Sequence, residues 1–324
     1  MNLKIGVIGV GAMGKNHVRV LDGLSDRCQL TGVYDLEPER GASIARDFDT
    51  RSFAELDSLL ESVDAAVVAV PVFGHYDVAK KCMERGIHVF VEKPLTATIE
   101  QGRELIGLAR TKKVKLQVGH IEMFNPTIRV LKDIMQHEEV IAIDIHRLSP
   151  FDERVKDIDV VMDTMIHDLY ILSYLAGDQP AKCTAYGRAL HQHLNHVVAT
   201  FQYENAVIAT LTASIVTEEK VRTIDVVTRN AYIRADLMDR KIVISRSTNF
   251  FMSNRNADYK QQNIMEKVIV PFQEPLREQL VHFLDCIRFD HEPMVTAEDG
   301  LNTLLMADKV KRSMIRLKEA GEPS

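Results

Sequence analysis

Four cysteines in 324 residues are few, and none of Cys28, Cys82, Cys183 and Cys286 forms a CxxC pair. Scattered in this way they read as small buried or half-buried side chains in a reducing compartment. No apolar stretch reaches 18 residues, and no charged leader with a cleavage site precedes the first strand. Neither membrane insertion nor export is expected, and the reading is a cytoplasmic protein. Positive charge is not in excess either: 40 Lys and Arg stand against 46 Asp and Glu, a net charge of −6 without a long basic run. That argues against nucleic acid as a partner. Internal repeats and low-complexity tracts are missing. What is present, 46% hydrophobic and 27% charged residues, is the balance of a globular protein with room for two cores.

Up to about residue 120, apolar strands alternate with amphipathic helices. Strands are expected at 3–9, 30–35, 50–53, 65–70, 87–91 and 114–118, and helices at 12–24, 38–47, 54–61, 76–85 and 98–111. This alternation predicts a doubly wound parallel sheet covered on both faces, an α/β Rossmann domain over 1–120. Ligands then sit at the carboxyl ends of the strands. The texture changes afterwards. A helix at 126–136, a strand at 140–147, a charged loop at 149–159 and a helix at 160–175 lead into a series of strands. These run over 181–190, 195–203, 206–215, 221–228, 231–235, 241–246 and 265–270, before helices at 273–288 and 297–317. Strands in succession predict an α+β domain over 121–324 with a mostly antiparallel sheet. Its final helices have the option of packing back on the first domain.

The glycine pattern comes first among the motifs. Gly9-Val10-Gly11-Ala12-Met13-Gly14 lies between an apolar strand and a helix, which is the setting that GxGxxG requires. Gly9 allows the tight turn, Gly11 lets the backbone approach a pyrophosphate, and Gly14 lets the helix pack on the strand. Asp35 ends the second strand, about 20 residues on, where an acid holds a ribose diol. The cofactor read from this set is NAD. NAD is expected over NADP, because Asp35 repels a 2′-phosphate and its neighbours Tyr34 and Leu36 bring no cation; Arg40, on the next helix, is the nearest.

Two segments close strands at the same edge. Val70-Pro71 leads to His75, either a strand-ending turn or a wall of the nicotinamide pocket. Glu92-Lys93-Pro94 ends the fifth strand, and there an ammonium can hold a substrate hydroxyl and stabilise charge on its oxygen. The helix at 160–175 is apolar nearly all round, so Asp163, His167 and Asp168 are costly unless paired or used. Asp163 and His167 stand four apart, a spacing that suits an oriented proton acceptor and equally a structural ion pair. Arg147 and Arg154 belong to the charged loop 147–159 that leads into that helix and suit phosphate oxygens. His191, His193 and His196 invite a metal, but no Cys or carboxylate stands close by in sequence, and none is assigned.

With the glycine loop, Val70-Pro71 through His75, Glu92-Lys93-Pro94 and Asp163-x-x-x-His167 in this order, the chain resembles the Gfo/Idh/MocA oxidoreductase family over essentially its whole length. Val295-Thr296-Ala297-Glu298-Asp299-Gly300-Leu301 is similar to that family's carboxy-terminal signature. The resemblance implies that Lys93, Asp163 and His167 line the active site. It implies also an open-faced second sheet that packs against another subunit, in a homodimer or homotetramer. Val197, Ala199 and Phe201, with Val207, Ala209 and Leu211, are read as the apolar face awaiting that partner.

Two stretches, Val118-Gly119-His120-Ile121-Glu122-Met123-Phe124-Asn125-Pro126 and the run from Ser149-Pro150-Phe151 to Ile166-His167-Asp168, look like UDP-N-acetylglucosamine 3-dehydrogenases within the family. That implies oxidation of a nucleotide-sugar hydroxyl to a ketone for a partner aminotransferase. His120, Arg147, Arg154, Asp163 and His167 then face the substrate. Two further readings stand beside it: an NAD-dependent dehydrogenase of a free polyol such as inositol, and an NAD-sensing regulatory protein without turnover. Lys93, Asp163 and His167 together argue against the last.

Overall fold

The computed structural model describes residues 3–151, 159–177, 179–189, 193–247 and 263–316. The chain forms two compact units, Met1–Phe124 with Glu274–Leu305, and Asn125–Gln273 with Met306–Ser324. In chain order the first unit holds β1 (Leu3–Ile8), α1 (Ala12–Asp22), β2 (Cys28–Tyr34), α2 (Pro38–Asp47), β3 (Ser52–Phe53), α3 (Leu56–Leu60), β4 (Ala65–Val68), α4 (His75–Glu84), β5 (His88–Glu92), α5 (Ile99–Lys112) and β6 (Leu116–Gly119). Its six strands are all parallel, in the order β3-β2-β1-β4-β5-β6. The order reverses between β1 and β4, which is where a doubly wound sheet opens its ligand crevice.

Burial on both faces explains the run-like strands. All four residues of β4 are fully buried, as are Ile5, Val7 and Ile8 of β1. The helix Pro275–Arg288 supplies Leu276, Leu280, Phe283 and Leu284 to the same core as Val18 and Leu21 of α1 and Phe90 of β5. Each such side chain contributes roughly 1.5–3 kcal/mol when taken from water.

The second unit contains α6 (Pro126–Met135), β7 (Val140–Leu148), α7 (Ile166–Ala176), β8 (Lys182–Ala189), β9 (Leu194–Gln202), β10 (Ile208–Ser214), β11 (Val221–Thr228), β12 (Ala231–Asp236), β13 (Lys241–Ser247) and β14 (Asn263–Ile269). After α8 (Pro275–Arg288) and α9 (Ala297–Arg312), β15 (Met314–Arg316) adds a last strand. The sheet runs β14-β13-β12-β11-β7-β10-β9-β8-β15, with β7–β10 and β8–β15 parallel and the other neighbours antiparallel.

Two expectations are corrected here. The helix expected over 297–317 ends at Arg312, and Met314–Arg316 pairs with Ala185–Gly187 of β8. The apolar residues read as an open face are the inner face instead. Val197, Ala199, Phe201, Ala209 and Leu211 are at most 1% exposed and Val207 6%, all within this unit's own core with residues of α6 and α7. A period of two defines two faces of a strand without saying which one a helix will cover. The outward row is Ile208, Ala142, Val227, Tyr232, Ser245 and Met265, matched strand to strand across the sheet.

Candidate active site

At the end of β1 the chain turns through Gly9, whose φ of +83° is left-handed. A Cβ there would also lie 2.8 Å from the Val70 nitrogen. Gly14, in the first turn of α1, lies so close to the strand end that a Cβ would come within 1.9 Å of the Gly9 carbonyl oxygen. Gly11 differs: a Cβ there would meet nothing within 4 Å among the described residues. Ala12 and Met13 follow it, exposed, in the first turn of α1. That helix has no side-chain cap and no acid in its first turn. Its leading N–H groups and the positive end of its dipole are therefore free to meet an anion. A pyrophosphate fits this turn.

Asp35 stands just past β2, and its carboxylate is 3% exposed. Oδ2 accepts the Val10 N–H and Oδ1 the Glu37 N–H, each at 2.8 Å, which ties the acid to the glycine turn. Arg40 reaches back from α2, donating from Nε to Oδ2 at 3.1 Å and from Nη2 to Oδ1 at 2.8 Å. Burial pushes the carboxyl up, but Arg40 and the two N–H groups outweigh it and hold it below the ordinary aspartate value. Arg40, the nearest cation in the sequence, thus pairs with Asp35 directly. It comes five residues later, and the entry of α2 folds it back onto the carboxylate.

Past β4, Val70 is half-buried and Pro71 exposed. His75 is 2% exposed, with Nε2 2.9 Å from the Val70 carbonyl oxygen and Nδ1 2.8 Å from that of Pro94. Burial favours its neutral ring, against the pull of the two carbonyls and of Glu92. A neutral ring carries one N–H and donates to one of the two carbonyls, so His75 sits between the two edge turns and is hydrogen-bonded to one of them. Glu92 ends β5 and Lys93 precedes Pro94 through a cis peptide bond. Glu92 Oε1 is 2.7 Å from Nε2 of His17, and Oε2 accepts the Lys93 backbone N–H at 3.2 Å. His120, beyond β6, is 1% exposed. Burial first and the Lys93 ammonium second push its pKa down to about 3, so this imidazole stays neutral.

His17 is absent from the sequence-based site. A signal for it exists: it shares a helix face with Val20 and Leu21, and a histidine on an apolar face needs a partner.

In the second unit, residues Val161–Met165 wind as a π-helical turn before α7. Asp163 lies in that wider turn and His167 in the first turn of the α-helix, both half-buried. The single α-helix expected over 160–175 is therefore two kinds of helix; such π turns recur at functional sites. Asp159 receives the Val161 N–H at 2.8 Å. The buried acid of the helix is Asp168, 1% exposed, and Arg147 donates to it from Nε at 2.8 Å. Arg147, expected over substrate phosphate, is itself 5% exposed and serves Asp168. Arg154 and His191 lie outside the described residues. Among the described residues no group of three or more His, Cys, Asp or Glu could hold a metal ion, and no helix is long and apolar enough to cross a membrane.

Comparison with known proteins agrees with this fold. Residues 3–120 match the oxidoreductase-family NAD-binding Rossmann fold and residues 139–316 the matching C-terminal alpha/beta domain. The UDP-N-acetylglucosamine 3-dehydrogenase of Acidithiobacillus ferrooxidans is 34% identical over 245 residues, 75% of this chain and 77% of that protein. A solved structure of that enzyme superposes with a TM-score of 0.86 at 30% identity, covering 97% of this chain and 98% of the other. An inositol 2-dehydrogenase/D-chiro-inositol 3-dehydrogenase of Lacticaseibacillus casei is 30% identical over 189 residues, 55% of this chain and 54% of that one. The chain belongs to the Gfo/Idh/MocA family of oxidoreductases, with an NAD-binding Rossmann domain followed by that family's α/β domain.

Proposed function

We propose that this enzyme oxidises the 3-hydroxyl of UDP-N-acetylglucosamine to a ketone in the cytoplasm, for an aminotransferase of amino-sugar biosynthesis to consume. One observation supports the substrate: the Acidithiobacillus enzyme is 34% identical over 75% of the chain, whereas the Lacticaseibacillus inositol dehydrogenase is 30% identical over 55%. Gly9, Gly11, Ala12, Met13 and Gly14 hold the cofactor pyrophosphate and Asp35 its ribose. Val70, Pro71 and Glu92 shape the edge beside Lys93, with His75 bracing the turns behind them. NAD bound there supplies the hydride acceptor.

Lys93 donates a hydrogen bond to the reacting hydroxyl oxygen and stabilises the charge that develops on it. His167 takes the hydroxyl proton, and Asp163 orients its ring. His120, neutral beside an ammonium, accepts a hydrogen bond from the sugar without competing for the proton. Arg147 holds Asp168 and through it the helix bearing His167, which leaves Arg154 as the arginine for the diphosphate.

The decisive assay is NADH formation with UDP-N-acetylglucosamine, inositol and glucose, after mass spectrometry of ligands that copurify. Turnover is expected with the nucleotide sugar, and Arg154→Ala should raise its KM more than that of any uncharged sugar. Robust oxidation of inositol alone would replace this reading with the polyol one. NADH binding without turnover of any sugar would favour a sensor.

Cofactor choice follows from Asp35 and Arg40. With the carboxylate present, Arg40 is held by it and a 2′-phosphate meets negative charge. Asp35→Ala should weaken NAD and release Arg40 toward the phosphate of NADP, so the affinity ratio narrows or inverts. Titration by NADH and NADPH fluorescence measures this. Equal affinities in the unmutated protein would remove Asp35 as the discriminator.

Self-association is expected through the outward face of the nine-stranded sheet. Ile208 and Tyr232 are 46% and 38% exposed in one cross-strand row, and Tyr186, 47% exposed, lies on the same face. A sheet covered by helices on one side only leaves such a face to a second copy. Light scattering should report a dimer or tetramer, and Ile208→Lys should shift it toward monomer. A stable monomer at micromolar concentration before mutation would rule this surface out.

A further inference from the structure

We infer that His17 is a positioning residue for Lys93, acting through the Glu92 carboxylate. His17 is fully buried in α1, the helix that opens at the glycine turn. Its Nε2 lies 2.7 Å from Glu92 Oε1. Its Nδ1 has no hydrogen-bond partner among the described residues. A proton on Nδ1 would thus be a buried donor with nothing to receive it, which fixes the ring as the Nε2–H tautomer. Nε2–H then donates to Glu92, and Glu92 accepts as a carboxylate.

The second carboxylate oxygen turns back on the chain. Oε2 accepts the Lys93 backbone N–H at 3.2 Å. Around this link the packing is close. Phe90 meets the His17 ring edge-on with centroids 5.2 Å apart, and Phe283 meets Phe90 in the same way at 5.8 Å. On the other side, a Cβ at Gly119 would stand 3.0 Å from Glu92 Oε2, so β6 leaves the carboxylate little room to turn. The first atom of Lys93 is therefore set by a histidine 76 residues earlier, on the helix that begins at the cofactor turn. His17 joins the piece of backbone shaped for the cofactor to the piece that carries the ammonium. It touches neither substrate nor reacting atoms.

The consequence rests on the proposed role of Lys93, and the test separates the two. His17→Phe keeps the ring and removes the donor. His17→Gln restores an amide N–H at similar reach, and His17→Asn holds the same amide one methylene short. Amide hydrogen exchange at Lys93 should speed up at least about tenfold in the Phe and Asn variants and return toward normal in Gln, because only there is the Glu92 hydrogen bond rebuilt. Exchange at Val89 and Val91 within β5 should stay unchanged in all three, which a general loosening would not allow.

Turnover should fall about 10- to 100-fold in Phe and Asn, as expected for a misplaced reacting group, with KM and NADH affinity within a few-fold. Gln should recover most of kcat. Should the Phe variant fail to fold, the Asn and Gln pair carries the comparison. Unchanged Lys93 exchange in Phe and Asn overturns the inference, as does a Gln variant no better than Asn. Altered exchange with normal kcat overturns it as well. If no sugar is turned over, the exchange experiment still decides whether His17 holds Lys93 through Glu92, so loss of the substrate assignment is told apart from loss of this one.

Discussion

Lys93→Ala should reduce turnover by roughly 10²–10⁴-fold while leaving NADH binding nearly intact, and His167→Ala should do the same. That range corresponds to about 3–5 kcal/mol of barrier. In the proposed reaction the two residues share one task. As hydride leaves the carbinol carbon, the hydroxyl proton must go to a base and the oxygen must carry charge. On the proposed mechanism His167 is the acceptor and Lys93 stabilises the alkoxide. Asp163→Asn should lose less than either, through misorientation of the ring. Binding is easily followed by NADH fluorescence, since the chain contains no tryptophan. Near-normal turnover in His167→Ala would assign the helix a structural role and the proton to Lys93.

The second large effect falls on stability. Arg147 and Asp168 are 5% and 1% exposed and joined at 2.8 Å. Arg147→Met leaves a carboxylate buried without its guanidinium, which costs about 3–5 kcal/mol. Thermal unfolding of the variant should begin many degrees below that of the parent. Arg147→Met combined with Asp168→Leu should regain much of the loss, because two well-packed apolar groups can replace a buried ion pair. A single variant that melts like the parent would show that Asp168 does not depend on Arg147.

These pairs mark the boundary between what the chain spells out locally and what only folding assembles. The glycine turn, Asp35 and Lys93 are legible because each meets a local requirement: positive φ, close helix packing, an acid or ammonium at a strand end. The alternation of apolar strands and amphipathic helices likewise announces the first sheet. By contrast, Glu92 gives no sign in sequence that His17 is its partner, and Arg147 gives none that it serves Asp168. Arg40 is closer, five residues from Asp35, yet only the geometry of the α2 entry folds it back. The second sheet is legible as a set of strands but not as to side, since Val197, Ala199 and Phe201 alternate equally well whichever way they point. The strand at Met314–Arg316 was hidden by its helical neighbour, whose apolar spacing continues past Arg312.

Because the His75 ring lies between the Val70 and Pro94 carbonyls, the two turns after β4 and β5 are coupled through one side chain. A chimera that imports only one of them from a relative mismatches the length or aim of the other against the ring. Transplanting a foreign specificity into this scaffold therefore calls for both turns and the histidine together, and recombination breakpoints between residues 75 and 94 should be poorly tolerated.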